Sequence, residues 1–228
     1  MKIAMLGTGM VGRTLAGKLD ELGHDVVIGT RDPAGTLART GRDMQGRPPF
    51  TDWNQAHAAV RLASFADAAA RGELIVNATA GVASLAALEA AGADALAGKV
   101  IMDVSNALDF SHGMPPTLAV ANTDSVAEQI QRAYPASRVV KALNTVSSMV
   151  MTDPGHIPGG HVVFIAGDDD EAKATVRGLL GEFGWAADTI LDLGGVRFAR
   201  GPEMYMLLWL SLWGALGTPD FNIAVHRS

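Results

Sequence analysis

Six residues near the start of the chain, Gly7-Thr8-Gly9-Met10-Val11-Gly12, constrain its fold more than any other segment. They fit the pattern G-x-G-x-x-G, which carries little weight alone. Here the pattern has the context its geometry requires. An apolar run over 2–6 precedes it and reads as a buried strand. Val11, Leu15, Leu19 and Leu22 follow it at helical spacing. In that setting Gly7 permits a tight turn, Gly9 leaves the backbone bare enough for a diphosphate to approach, and Gly12 lets the helix pack close to the strand. The peptide N–H groups opening the helix over 11–22 then face the phosphates, with the helix dipole in support. Gly23 closes that helix.

The rest of the first two-thirds keeps the same rhythm. Strands are predicted over 25–29, 60–63, 73–77, 99–104 and 138–143, with helices over 64–71, 84–97 and 125–134 between them. The Gly-, Pro- and Arg-rich stretch 33–54 reads as a short helix and a loop. Apolar strands alternating with helices predict a Rossmann-type α/β fold, a doubly wound, mostly parallel sheet with helices on both faces. After Asn144 the pattern loosens. Residues 149–160 hold two prolines and three glycines and read as a loop or linker. A strand over 161–166, a helix over 169–183, a strand over 188–192 and a helix over 198–216 follow. The division expected is a nucleotide-binding unit over 1–148 and a smaller α/β unit over 149–228, packed on the first and not necessarily a separate domain.

The second strand ends Val27-Ile28-Gly29-Thr30-Arg31-Asp32. Sites selective for NAD place an acid at such a strand end, to bind the ribose 2′-hydroxyl. Here Thr30 and Arg31 stand there instead, a hydroxyl and a guanidinium suited to a 2′-phosphate. NADP(H) is therefore the expected cofactor. Asp32 has two readings: an N-cap for a helix starting at Pro33, or a ribose contact.

Composition removes other classes. The 228 residues are 48% apolar and carry a formal charge of −6, with no run of basic residues, which argues against a nucleic-acid partner. There is no cysteine, so disulfides and thiolate chemistry are excluded, and a reducing, cytoplasmic location is expected. No apolar stretch at the N-terminus resembles a secretion signal. The six histidines show no ligand spacing, and no metal is expected. The apolar segment 204–216 is shorter than the ~20 residues that span a bilayer, so no membrane partner is expected. It reads as a buried helix or an oligomer contact, and a homodimer is expected because one small unit cannot readily cover it.

Several segments together resemble a known family: Gly7–Gly12, Gly29-Thr30-Arg31, Asn77-Ala78-Thr79, Asp103-Val104-Ser105-Asn106, Val140-Lys141-Ala142-Leu143-Asn144-Thr145, and the run from Gly167 to Lys173. The chain resembles the NADPH:coenzyme F420 oxidoreductases in their short bacterial form. It is also similar to the soluble NADPH-binding part of six-transmembrane ferric reductases. The first resemblance implies that NADPH lies across the C-terminal edge of the sheet and that a hydride passes directly to a deazaflavin stacked on the nicotinamide. It implies adenosine-phosphate contacts from Thr8, Thr30 and Arg31, and flanking of the nucleotide by Thr79 and Ala80, which follow Asn77 and Ala78. It places Ser105, Asn106, Asn144 and Thr145 at the nicotinamide end, Asn144 and Thr145 as positioning groups for the reaction.

Such a transfer needs two ring carbons held ~3–3.5 Å apart in a dry slot, with no acid or base. Lys141 either balances phosphate or substrate charge or is an ordinary strand-end lysine. Asn106 and Asn144 have the bland alternative of capping turns. Asp168-Asp169-Asp170-Glu171 reads as a helix start. Three functions remain open: hydride transfer between NADP(H) and coenzyme F420 as small-molecule partner; reduction of a flavin, quinone or ferric iron by NADPH; and a non-catalytic NADP sensor.

Overall fold

The computed structural model describes residues 1–42 and 46–226. Its main sheet is built from β1 (Lys2–Leu6), β2 (Asp25–Thr30), β3 (Arg61–Ser64), β4 (Leu74–Asn77) and β5 (Val100–Asp103). A small hairpin, β6 (Leu108–Asp109) and β7 (Thr117–Leu118), stands apart, and then β8 (Arg138–Ala142), β9 (Val163–Ala166) and β10 (Ile190–Asp192) complete the sheet. The spatial order is β10-β9-β8-β5-β4-β1-β2-β3. Every neighbouring pair runs parallel except β8 and β9. The chain thus winds outward from β1 in both directions, the Rossmann-like doubly wound arrangement. The order reverses between β1 and β4, where ligands bind beyond the C-terminal strand ends.

The continuous apolar runs of the strands follow from burial on both faces. Ile3 and Met5 of β1 enter one core together with Val26, Ile28, Leu74, Val76 and Met102. Ala4 and Leu6 enter the other with Val27, Ile75 and Ile101. The first core is closed by α1 (Met10–Glu21), α8 (Ser148–Thr152) and α9 (Asp170–Glu182), through Leu15, Leu19, Val150, Val176 and Leu180. The second is closed by α4 (Phe65–Arg71), α5 (Ser84–Ala91), α6 (Ala93–Leu96) and α7 (Val126–Ala133), through Phe65, Ala68, Leu88, Leu96 and Ile130. Each such buried aliphatic side chain contributes about 1.5–3 kcal/mol relative to exposure.

Local chemistry fixes the helix starts. Ser64, Ser125 and Asp169 cap α4, α7 and α9 by accepting from the backbone N–H three residues on. At α7 the Ser125 hydroxyl also donates to Glu128 Oε2 at 2.8 Å. The acidic run after Gly167 is therefore a helix start. Asp32 caps α2 (Pro33–Ala38), accepting from Gly35 N at 2.9 Å, with proline in the first turn. The stretch 33–54 holds a second helix, α3 (Phe50–Ala56); part of the loop expected there lies outside the described residues.

Three expectations need correction, and one small element was not anticipated. The helix expected over 84–97 breaks at Gly92, whose φ of 89° ends α5. The loop expected over 149–160 contains most of α8, which Ser147 caps and which packs on α1. The β6–β7 hairpin has strands of two residues, too short to leave a periodic signature. The last helix is three pieces: a 3-10 turn at Val196–Ala199, then α10 (Arg200–Met204) and α11 (Met206–Leu216). The C-terminal stretch adds β9 and β10 to the same sheet, and its tail returns along β9, Val162 N donating to Ile223 O at 3.0 Å. No described helix is long and apolar enough to cross a membrane.

Just before α7, Asp124 takes two hydrogen bonds from Arg132, of 2.9 and 2.7 Å. Mainly through these, its carboxyl falls from the ordinary 3.8 to about 2. A lowered acid stabilises the fold above its unfolded pKa, and that support is lost as pH drops through the folded value. The urea midpoint of wild type should therefore exceed that of Asp124→Asn at about pH 5 and converge on it towards about pH 2.5, by a modest amount because Arg132 is largely exposed. A gap between the two that stays constant over this window would contradict the assignment.

Candidate functional site

The glycine turn brings three strand-end segments within van der Waals distance. Gly7 has φ of 118°, and a Cβ there would stand 2.7 Å from the carbonyl oxygen of Ala78, just past β4. A Cβ on Gly12 would run into the carbonyl of Gly7. These two glycines are demanded by packing. Gly9 is different: a Cβ there would meet nothing within 4 Å, so packing does not ask for glycine. Gly9 is the N-cap of α1, and no side chain caps that helix. Thr8, Gly9 and Met10 lie at the surface or partly open to it, Val11 is half-buried, and Gly12 is buried. The result is an open backbone cradle at a helix start, with the form of a diphosphate seat.

Two strands from β4, the end of β2 opens on a cavity of about 350 Å3 lined by Thr30, Arg31, Asp32, Gly35, Thr36 and Arg39. Thr30 and Thr36 are buried with hydroxyl oxygens 3.1 Å apart, and Arg39 Nη2 donates to Thr36 Oγ1 at 2.9 Å. Asp32 caps α2 through Oδ1, the first of its two expected readings, and it also lines this cavity. A second cavity of about 330 Å3 shares Thr36 and Arg39 and reaches Thr8 and Gly9; Arg13 and Arg42 line it. The chain is acidic overall and has no basic run, yet its fold gathers Arg13, Arg31, Arg39 and Arg42 around the glycine turn. Arg39 escaped the sequence reading because it lies beyond α2, eight positions from Arg31.

On the other side of β1, the ends of β4, β5 and β8 carry a buried polar network. Asn77 Nδ2 donates to Asp103 Oδ1 and to Ser84 Oγ, both at 2.8 Å, and Thr79 Oγ1 donates to Asn77 Oδ1 at 2.7 Å. Asp103 Oδ1 also accepts from Ser105 N at 3.1 Å. Asn106 and Asn144 clasp each other: Asn106 Nδ2 donates to the Asn144 carbonyl at 2.8 Å, and Asn144 Nδ2 donates to Asn106 Oδ1 at 2.9 Å. Asn144 and Thr145 are buried, whereas Thr79 and Asn106 are partly open and Ala80 is exposed.

Lys141, read either as a charge partner of phosphate or substrate or as an ordinary strand-end lysine, is 1% exposed and directs its ammonium into the protein. It donates to Asp103 Oδ2 at 2.7 Å and to the Ser105 carbonyl at 2.6 Å, and pairs with Glu203 Oε1 at 2.8 Å. Three partners use its three protons. Burial works against the charge, but the attraction of Asp103 and Glu203 outweighs it and holds Lys141 above the ordinary lysine range. Glu203 is pushed above the usual carboxylate range, by burial first, with Lys141 opposing. The sequence reading assigned no role to Asp103 or Glu203. The register sets Asp103 beside Lys141 on adjacent strands, so aligning the two strand ends would have suggested the first pair.

The expected residues thus fall into two groups on either side of the glycine turn: Thr30 and Arg31 beyond β2, and Asn77, Thr79, Ser105, Asn106, Asn144 and Thr145 at the ends of β4, β5 and β8. The family described as NADP oxidoreductase, coenzyme F420-dependent, matches residues 2–107. A solved structure from Arthrobacter sp. FB24, described as a candidate F420-dependent NADP reductase, is 55% identical, with a TM-score of 0.93 and all of both chains covered. Rat metalloreductase STEAP3 is 31% identical over 215 residues, 93% of this chain, and the chain spans 38% of that protein's length. An imine reductase from Aspergillus terreus shares the fold at 18% identity and a TM-score of 0.63, over 95% of this chain and 62% of that one. From the end-to-end likeness to the Arthrobacter protein and the family match over the glycine turn, we conclude that this chain belongs to the F420-dependent NADP oxidoreductase family.

Proposed function

We propose that the chain binds NADP(H) along the C-terminal edge of the sheet and exchanges a hydride with a deazaflavin of the coenzyme F420 type. The observation that carries the nucleotide half is the Thr30–Arg31–Thr36–Arg39 cavity beside the glycine turn. It offers two hydroxyls and two guanidinium groups, and its one carboxylate, Asp32, is engaged in capping α2. That chemistry suits a 2′-phosphate and lacks the free acid a ribose hydroxyl would want.

In this reading the backbone of Thr8 to Gly12 holds the diphosphate, and Ala78, Thr79 and Ala80 flank the nucleotide. Ser105, Asn106, Asn144 and Thr145 stand at the nicotinamide end, with Asn144 clasping Asn106 to fix its position. Bound NADPH would supply a hydride, and the protein's part is to orient two rings and exclude water. The deazaflavin is supported by the likeness to the Arthrobacter protein. The likeness to a metalloreductase supports ferric iron as the second reading. A second copy of the chain is proposed to cover α11, where Leu207, Leu208, Trp213 and Leu216 are 44, 55, 42 and 56% exposed.

Charged hydrogen bonds of the expected kind are worth about 1.5–3 kcal/mol each, so Arg31→Ala and Arg39→Ala should each weaken NADP+ by about ten- to a hundredfold and leave NAD+ nearly unchanged. An unaltered NADP+ to NAD+ ratio in both variants would refute the phosphate pocket. For the acceptor, loss of NADPH absorbance is followed with coenzyme F420, FMN, FAD and ferric chelates. F420 is expected to react fastest. Faster turnover of ferric chelate would favour the second reading, and turnover of none would leave a nucleotide sensor. Light scattering at micromolar concentration should give a dimer that Leu208→Glu with Leu216→Glu splits; a wild-type monomer would contradict the contact.

A further inference from the structure

The Lys141 cluster reaches far outside the cofactor edge. Glu203 lies in α10, 62 positions beyond Lys141 in sequence, yet both carboxylate oxygens are used inside the protein. Oε1 meets Lys141 Nζ at 2.8 Å and Ala127 N at 3.2 Å, and Oε2 accepts from Val126 N at 2.8 Å. From Lys141 the chain of bonds runs to the Ser105 carbonyl and Asp103, from Asp103 to Asn77 and Ser105 N, and from Asn77 to Thr79. Each link is 3.2 Å or shorter, and Glu203, Lys141, Asp103 and Asn77 are 2, 1, 0 and 0% exposed.

We propose that Glu203 is a positioning residue for the nicotinamide end, acting through Lys141 on Ser105 and, by way of Asp103 and Asn77, on Thr79. Buried charges of this kind are costly, and well-packed apolar residues often serve stability as well. What an apolar contact cannot do is fix the direction of a carbonyl and an amide. Lys141 and Asp103 hold the two peptide groups that flank Ser105, its N–H on one carboxylate oxygen and its C=O on the ammonium. Without Glu203 the ammonium loses its tie to α10 and can turn within the Asp103 site, and the Ser105–Asn106 turn loses its fixed orientation. Thr30, Arg31 and Arg39, at the adenosine end, have no bond to this network.

The inference rests on the nucleotide placement proposed above, and its test separates the two. Glu203→Gln replaces one carboxylate oxygen with an NH2 donor, so either Lys141 and the Ala127 amide together, or the Val126 amide, lose an acceptor. Calorimetry with wild type and variant uses NADPH and adenosine 2′,5′-bisphosphate, which carries only the adenosine end. NADPH should weaken by about five- to tenfold in the variant, within the range of coupling through such networks, with the bisphosphate changed less than about twofold. Equal loss of both ligands, or no loss of either, would overturn the proposal. Should the variant fail to fold, wild-type hydrogen exchange decides. By reciprocity, NADPH should slow exchange at residues 200–204 and at the Val126 and Ala127 amides, and the bisphosphate should not. Identical exchange with the two ligands would overturn it. A wild-type protein that binds the bisphosphate as tightly as NADPH, or binds neither, removes the nucleotide placement itself.

Discussion

The close approach of backbone at the glycine turn governs the architecture. Gly7 lies so near the Ala78 carbonyl that no side chain fits, and Gly12 lies equally near Gly7. This contact pins the end of β1, the start of α1 and the segment after β4 to one point, at the place where the strand order reverses. A short strand feeding a helix through such a turn leaves the first N–H groups of α1 without a side-chain cap. Packing thus creates a polar opening whose natural complement is an anion. Gly9 completes the argument, since its missing side chain serves nothing within the protein.

From that point the edge of the sheet divides by chemistry. Towards β2 it is open, hydroxylated and rich in arginine, drawn from α1, the end of β2 and the turn after α2. Towards β8 it is largely closed, and its polar groups are spent on one another: Lys141 between two carboxylates, Asn106 against Asn144. The first arrangement suits recognition of phosphate by cations that line an open cavity. The second suits holding a few peptide groups at fixed angles, at the cost of burying ions. A reaction that moves a hydride between rings needs orientation more than it needs an acid or base, and none of the buried groups is free to act as one.

The strands were legible because both faces of a parallel sheet are buried, which turns each strand into an unbroken apolar run such as Lys2-Ile3-Ala4-Met5-Leu6. The helix starts near Ser64, Ser125 and Asp169 were legible because a polar residue followed by a helix-forming stretch favours one, and the structure adds that each side chain caps its helix. Gly92 was read through as helix because its neighbours are alanines, and its positive φ is set by the turn into α6. The α8 helix was masked by the prolines and glycines that follow it. In the site, Arg31 could be read because it adjoins a strand end. Arg39 could not, since its place depends on how α2 folds back on Thr30. Lys141 was visible as a strand-end lysine, but its burial depends on Glu203, and nothing in sequence links positions 62 apart.

The central claim is that the glycine turn and the neighbouring arginine pocket together select a dinucleotide bearing a 2′-phosphate. Parallel calorimetric titrations of the wild-type protein with NADPH and NADH test it most directly. The account predicts saturable binding of both, with NADPH tighter by at least about tenfold, the value of one charged hydrogen bond. Equal affinities, or no heat from either nucleotide, would contradict it.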